Sequence, residues 1–173
     1  EYDIDALDVT LATAAVERLN GDPLWTLIIS GSGNAKTETV QAFGRLDILV
    51  NNAGGVRYAK FLDLGQKGWG THTRLNFDGL FGPTDAAVRA MIAGGRGGVV
   101  LNVASIEALR AAPMFSVYAA CKAGMVNFTR SLALELADQG IRVNAIAPDI
   151  VDTPHLQAFE GSVSVLMQSV IAG

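Results

Sequence analysis

The sequence predicts an α/β fold in which parallel strands are joined by crossover helices. Three observations support it: short apolar runs alternate with longer stretches of helical period, a turn signal follows each apolar run, and 173 residues suit one domain. Half of the residues are apolar, so the chain can bury a core without disulfides or a metal. We therefore expect one domain over residues 1–173.

Five apolar runs have the length of strands. They are Ile4–Val9, Leu24–Ser30, Leu46–Val50, Val99–Ala104 and Ile141–Ala147. The predicted helices are Leu11–Leu19, Ala35–Phe43, Trp69–Ala93, Phe115–Asp138 and His155–Ile171. Gly95 and Gly140 follow helical runs directly before strands, where a left-handed cap is expected. Because glycines lower helix propensity around Asn76, we expect the helix over 69–93 to begin late or to bend.

Charge and composition exclude several classes of function. The chain has 13 Lys and Arg against 17 Asp and Glu and no basic run, so nucleic acid is not an expected partner. No apolar run approaches the roughly 20 residues of a membrane span, and the first residues do not resemble a signal peptide. The single Cys121 excludes an internal disulfide, and His72 and His155, expected at the surface, have no metal-ligand spacing. We expect a cytoplasmic protein without a metal site.

Ser105, Tyr118 and Lys122 are the strongest candidates for chemistry. Tyr118 and Lys122 are four residues apart in a predicted helix, so their side chains share one face. Ser105 ends a predicted strand, and ligands of α/β sheets bind beyond the carboxyl ends of strands. A Tyr-x-x-x-Lys pair alone also arises by chance and could be a surface pair, so its neighbours decide its meaning.

Those neighbours resemble the short-chain dehydrogenase/reductase family. The matching segments are Asn51-Asn52-Ala53-Gly54 after a strand, Asn76 in a helix, Ser105, Tyr118 with Lys122, and Pro148 to Thr153, in the order of the family. The resemblance implies a Rossmann-like, doubly wound parallel sheet with helices on both faces, in three layers. It further implies an oxidoreductase that interconverts an alcohol and a ketone or aldehyde with NAD or NADP. It also implies a homodimer or homotetramer that acts on a small-molecule alcohol or carbonyl substrate.

The resemblance implies a role for each matching residue. The catalytic residues would be Asn76, supporting a water relay, Ser105, orienting the carbonyl, Tyr118, the general acid/base, and Lys122. A free tyrosine has a pKa near 10, so we expect the Lys122 ammonium to lower the pKa of Tyr118. The residues that would bind the cofactor are Asp8, Asn52, Ala53, Gly54, Tyr118, Lys122, Pro148 and Thr153. Asp8 could instead begin the following helix, and Asn51–Gly54 could be a simple turn.

The sequence also departs from the family pattern. The glycine-rich turn that binds pyrophosphate should precede Ile4–Val9 and is absent, and the last strand and helix of the family are lacking, so we expect a sheet incomplete at both ends. Residues 20–34 could be a surface insertion, a splice in the chain, or a substitute strand beside Leu46–Val50. Asp149 stands where the family usually has glycine, which could displace the nicotinamide loop.

Two alternatives to the dehydrogenase are compatible with the same residues. One is a truncated, non-catalytic relative that serves as an oligomeric binding or assembly protein through its long helices. The other is an epimerase or dehydratase that uses the same Tyr118 and Lys122. Glu107 and Arg110 follow Ser105, where a substrate pocket would be lined, although exposed loop charge is the simpler interpretation. Cys121 lies on another helix face and is expected to pack as a small apolar residue.

Overall fold

The structure is a computed structural model that describes residues 26–29 and 46–149. Its strands are β1 (Thr26–Ile29), β2 (Ile48–Asn51), β3 (Gly98–Val103) and β4 (Ile141–Ile146). These strands confirm four of the five predicted ones within a few residues. The predicted strand over 4–9 and the predicted helices over 11–19, 35–43 and 155–171 lie outside the described residues.

All pairs in the sheet are parallel, in the order β1-β2-β3-β4. Asn51, the last residue of β2, is in register with Asn102 of β3, and Asn102 with Ala145 of β4. Because the strands run in the same direction, the loops that follow β2, β3 and β4 leave from the same edge of the sheet.

β1 bears on the interpretation of residues 20–34. Thr26 pairs with Ile48 and Ile29 with Asn51, so this short strand extends the sheet beside β2. That is the pairing expected of a substitute strand. The rest of the segment lies outside the described residues, and the organisation of the chain as one domain stays a prediction.

The described helical elements all lie within residues 46–149. They are α1 (Phe61–Thr73), a π-helical stretch (Arg74–Asp78), α2 (Gly79–Gly94) and α3 (Ser116–Glu135), with short 3₁₀ turns at Ile106–Ala108 and Ala137–Gln139. The first helical run therefore begins at Phe61, and the predicted start at Trp69 was wrong. A kink explains why propensity missed it: Gly65 has φ 60° and ψ 177°, a conformation that is essentially restricted to glycine. The expected irregularity around Asn76 is the π-helical stretch.

The core lies where α2 and α3 pack against the sheet. Its buried residues are Leu46, Leu49, Ala87, Met91, Val100, Leu136, Ile141 and Val143. A smaller cluster of Leu80, Ala104 and Met125 lies nearer the carboxyl ends of the strands. Gly95 and Gly140 adopt the expected left-handed conformation, with φ of 65° and 67°. No helix within residues 46–149 is long and apolar enough to cross a membrane.

Candidate active site

Backbone hydrogen bonds continue beyond the ends of β3 and β4 and position Ser105. The Ala104 amide donates to the Ile146 carbonyl at 2.8 Å, and the Ile106 amide to the Pro148 carbonyl at 2.9 Å. Ser105, which lies between these two bonds, is extended and caps the following 3₁₀ turn, its hydroxyl accepting a hydrogen bond from the Glu107 amide at 3.3 Å. The serine is therefore held at the sheet edge beside the loop of Pro148.

The hydroxyl of Tyr118 lies next to that of Ser105 at this edge of the sheet. Partial burial raises the pKa of Tyr118 most strongly, the neighbouring Ser105 hydroxyl lowers it, and the nearby Glu107 carboxylate raises it further. The net pKa of Tyr118 lies above its ordinary value of 10.0. The structure thus brings together the predicted serine and tyrosine, and leaves the phenol protonated at neutral pH.

Lys122 is almost completely buried, at 3% exposed, one helical turn after Tyr118. Its Nζ donates to the Val103 carbonyl at 2.8 Å and lies 5.8 Å from the centre of the Tyr118 ring. Burial lowers the pKa of Lys122 to about 8.

These values correct one expectation from the sequence. We expected Lys122 to lower the pKa of Tyr118, yet the pKa of Tyr118 is raised. The reason is the order of the two titrations: an amine with a pKa of about 8 is already neutral at the pH at which this phenol loses its proton. In this structure Lys122 is a buried donor beside the phenol and does not acidify it.

Asn76 lies in the π-helical stretch and is 1% exposed. Its side-chain oxygen accepts from the Gly55 amide at 3.0 Å, and its side-chain nitrogen donates to the Gly55 carbonyl at 2.8 Å and the His72 carbonyl at 3.0 Å. Both amide protons are therefore used. The side chain holds the loop after β2, whereas the water relay was the role expected from the sequence.

The loop after β2 approaches both Asn76 and Lys122 at Gly54. A Cβ on Gly54 would lie 3.0 Å from Asn76 Oδ1 and 3.2 Å from Lys122 Nζ. Asn52 and Gly54 are exposed and Ala53 is half-buried. A glycine backbone with no Cβ, next to a lysine amine at a strand edge, is an arrangement that suits a nucleotide ribose and phosphate. The residues present in this part of the site therefore fit a dinucleotide.

A buried polar cluster beneath the loop was missed by the sequence analysis. Asn51 donates to Asn102 Oδ1 at 2.8 Å and to Thr84 Oγ1 at 3.0 Å, while Asn102 donates to Thr129 Oγ1 at 2.8 Å. All four side chains are at most 5% exposed. One signal was available: Asn102 interrupts the apolar strand Gly98–Val103, and a buried amide requires partners.

His72 was also misjudged. The expectation of a surface histidine was wrong, since His72 is 5% exposed and both ring nitrogens contact backbone groups. The signal was its position one helical turn before Asn76, on the same face of the helix.

Around the site, Arg110 forms an ion pair with Glu107 at 2.7 Å and approaches Asp149 at 3.7 Å. The two charges after Ser105 thus pair with each other at a partly exposed surface, and Asp149 lies beside them. Cys121 is buried, as predicted. The remaining predicted cofactor ligands, Asp8 and Thr153, and the second histidine, His155, lie outside the described residues.

Comparisons with known proteins identify the family of the chain. The sequence profile of the short chain dehydrogenases matches residues 32–162, more than half of the chain. The 3-oxoacyl-[acyl-carrier-protein] reductase FabG of Thermotoga maritima is 40% identical over 117 residues, which cover 68% of this chain and 47% of that protein. The chain therefore spans about half the length of the curated relatives it matches.

Solved structures share the fold. Carveol dehydrogenase of Mycobacterium avium in complex with NAD has a TM-score of 0.66 and 34% identity, covering 69% of this chain and 45% of that one. ElxO with NADP bound has a TM-score of 0.67 and 31% identity, covering 73% of this chain and 51% of that one. These matches confirm the Rossmann-like parallel fold expected from the sequence. The chain belongs to the short-chain dehydrogenase family.

Proposed function

We propose that the protein transfers a hydride between NAD or NADP and a small-molecule alcohol or carbonyl compound, with Tyr118 as the general acid/base. The observation that carries the proposal is that the Ser105 and Tyr118 hydroxyls lie side by side at the edge of the sheet, with the buried amine of Lys122 one turn away. Relatives of the chain bind NAD and NADP, and their names refer to unrelated substrates.

In this proposal the substrate oxygen lies between the two hydroxyls. Ser105 is held through its bond from the Glu107 amide, so it orients the carbonyl. Tyr118, whose pKa lies above 10.0 and which is therefore protonated at neutral pH, donates its proton to the oxygen as the carbonyl is reduced and becomes a phenolate. In the oxidation direction the phenolate takes up the proton of the alcohol.

The cofactor would be held by the exposed backbone of Asn52–Gly54, by Lys122 at the ribose, and by Pro148, with Asp8 and Thr153 proposed from the sequence alone. The nicotinamide supplies or accepts the hydride. Lys122 Nζ spends one donor on the Val103 carbonyl, which leaves two N–H groups for ribose hydroxyls when the amine is charged. Asn76, whose amide protons are used, contributes by fixing Gly55.

We also propose that the protein is cytoplasmic and forms a homodimer or homotetramer through α2 and α3. These helices expose large apolar side chains: Phe81 is 41% exposed, Ile92 43% and Leu134 82%. No observation favours a non-catalytic assembly role, which would leave the proximity of Ser105 and Tyr118 unexplained. No observation favours an epimerase either, since it would use the same Tyr118.

The test is Tyr118→Phe. Removing the acidic proton while keeping the ring should reduce kcat by about 10²- to 10⁴-fold, with the Kd for NADH or NADPH changed less than about twofold. Turnover would be followed with a panel of ketones, and binding by titration of reduced-nucleotide fluorescence.

Thr71→Val is the control, because it removes a hydroxyl at an exposed position of α1, where the hydroxyl bonds only the Lys67 carbonyl. An active Tyr118→Phe protein would refute the role of the phenol. A folded wild type that binds neither nucleotide would refute the oxidoreductase itself and favour the assembly protein.

A further inference from the structure

His72 is buried at the base of the loop that follows β2, one helical turn before Asn76. Its Nε2 lies 3.1 Å from the backbone nitrogen of Arg57, and its Nδ1 lies 2.9 Å from the carbonyl oxygen of Gly68. Neither partner is a side chain. The imidazole therefore connects the backbone of the loop to the backbone of α1.

The partners define the tautomer of the ring. The Gly68 carbonyl can only accept, so Nδ1 carries the proton, and the Arg57 amide can only donate, so Nε2 must be unprotonated. One neutral tautomer satisfies both contacts. A ring that is 5% exposed and bonded at both nitrogens has a single orientation.

The contact complements that of Asn76. Asn76 bonds the amide and carbonyl of Gly55, and His72 bonds the amide of Arg57, so three backbone groups of one short loop are held from the same helix face. The two supports are linked, since Asn76 donates to the His72 carbonyl at 3.0 Å. The side chains of Val56 and Arg57 are exposed, so they do little to hold the backbone, whereas the ring of Tyr58 packs against Phe115.

We propose that His72 is a positioning residue of the cofactor site: by accepting the Arg57 amide, it fixes the path of residues 54–58 and so the placement of Gly54 beside Lys122. The part of this inference that concerns nucleotide rests on the function proposed above. The part that concerns the loop does not, and the experiment measures the two separately.

The test uses two polar replacements of similar character. His72→Gln carries its amide to about the position of Nε2, so its oxygen can accept from Arg57, whereas His72→Asn reaches only the position of Nδ1 and keeps the Gly68 contact. Amide hydrogen exchange of residues 54–58 is measured first, without nucleotide. We expect exchange of the Arg57 amide to be about tenfold faster in His72→Asn and within about twofold of wild type in His72→Gln.

The second readout separates binding from chemistry. His72→Asn should raise the KM and Kd for the nucleotide about tenfold with kcat changed less than about twofold, and His72→Gln should restore both constants. Thr71→Val is the control, because the Thr71 hydroxyl also bonds a carbonyl four residues earlier, that of Lys67, at an exposed position away from the loop.

The outcomes are distinguishable. Native exchange in His72→Asn, equal disturbance by both variants, or a loss of kcat without a change in KM would each overturn the positioning role. Absence of nucleotide binding in the folded wild type would refute the proposed oxidoreductase instead, and the exchange of the Arg57 amide would still decide the contact between His72 and the loop.

Discussion

The two halves of the candidate site are built in different ways. Ser105, Tyr118 and Lys122 form one half with their side chains, which lie at a strand end and on one face of α3. The loop over 52–58 forms the other half with its backbone, which is held from behind by side chains 15 and 21 residues away in sequence. Side-chain chemistry is therefore concentrated in a short motif, whereas the binding surface depends on distant supports.

Lys122 belongs to both halves, and its removal should have a larger effect than a change confined to either the loop or its supports. Lys122→Met should lower kcat/KM about a hundredfold, because the charged donor beside Tyr118 and Gly54 is lost. The same variant should be more stable at pH 7, by about 2 kcal/mol. Burial lowers the pKa of Lys122 from 10.5 to about 8, which corresponds to a loss of stability of roughly 3 kcal/mol that the variant regains. Loss of the hydrogen bond to Val103 subtracts about 1 kcal/mol from this gain.

The stability difference between wild type and Lys122→Met should depend on pH. Between pH 8 and 10.5 the unfolded chain binds the proton that folded Lys122 has released, so the stability of wild type rises with pH across this window. Urea unfolding of wild type and Lys122→Met at pH 7 and pH 10 should therefore give a difference that shrinks at the higher pH. Lys67→Met, at an exposed position of α1, is the control. A Lys122→Met protein less stable than wild type at pH 7 contradicts the burial cost.

Substitution in the polar cluster under the loop measures how much these buried side chains contribute to stability. Asn102→Leu removes the acceptor of Asn51 and the donor to Thr129 at a site that is fully buried. We expect the free energy of unfolding to fall by about 2 kcal/mol, since buried polar groups lose their partners. Chemical denaturation measures it, with Asn127→Leu on the exposed face of α3 as the control. Unchanged stability would mean that the neighbours find other partners.

Gly54 lies where the two halves of the site meet, and its substitution should have the smallest effect of these variants. A Cβ 3.0 Å from Asn76 Oδ1 and 3.2 Å from Lys122 Nζ requires both side chains to shift by a few tenths of an ångström. Gly54→Ala should weaken nucleotide binding about fivefold and leave stability within about 0.5 kcal/mol.

The control for this change is Gly70→Ala in α1, where nothing lies within 4 Å of the added Cβ. That variant should bind nucleotide normally and gain up to about 1 kcal/mol of stability from helix propensity. Equal nucleotide affinity in wild type and Gly54→Ala would remove Gly54 from the binding surface.

The elements predicted well are those with a local signal. Four elements are recognisable from the sequence alone: the apolar runs of β2, β3 and β4 and the long periodic stretch of α3. Burial between layers leaves a continuous apolar pattern in such segments. The start of α1 was missed because Gly65 interrupts that pattern with a backbone conformation that propensity does not represent. The pairing of β1 with β2 needed the structure, since partners in a parallel sheet are not neighbours in sequence.

The amino-acid sequence by itself determined which chemistry is available: a phenol and an amine one helical turn apart, a serine at a strand end and a glycine loop, all recognisable from spacing. Only the tertiary structure decided how these groups behave. Burial lowers the pKa of Lys122 to about 8 and raises that of Tyr118, so the expected acidification of the phenol by the lysine is absent. Folding also turned His72 from an expected surface residue into a buried acceptor for Arg57, because solvation and partners depend on which distant segments pack together.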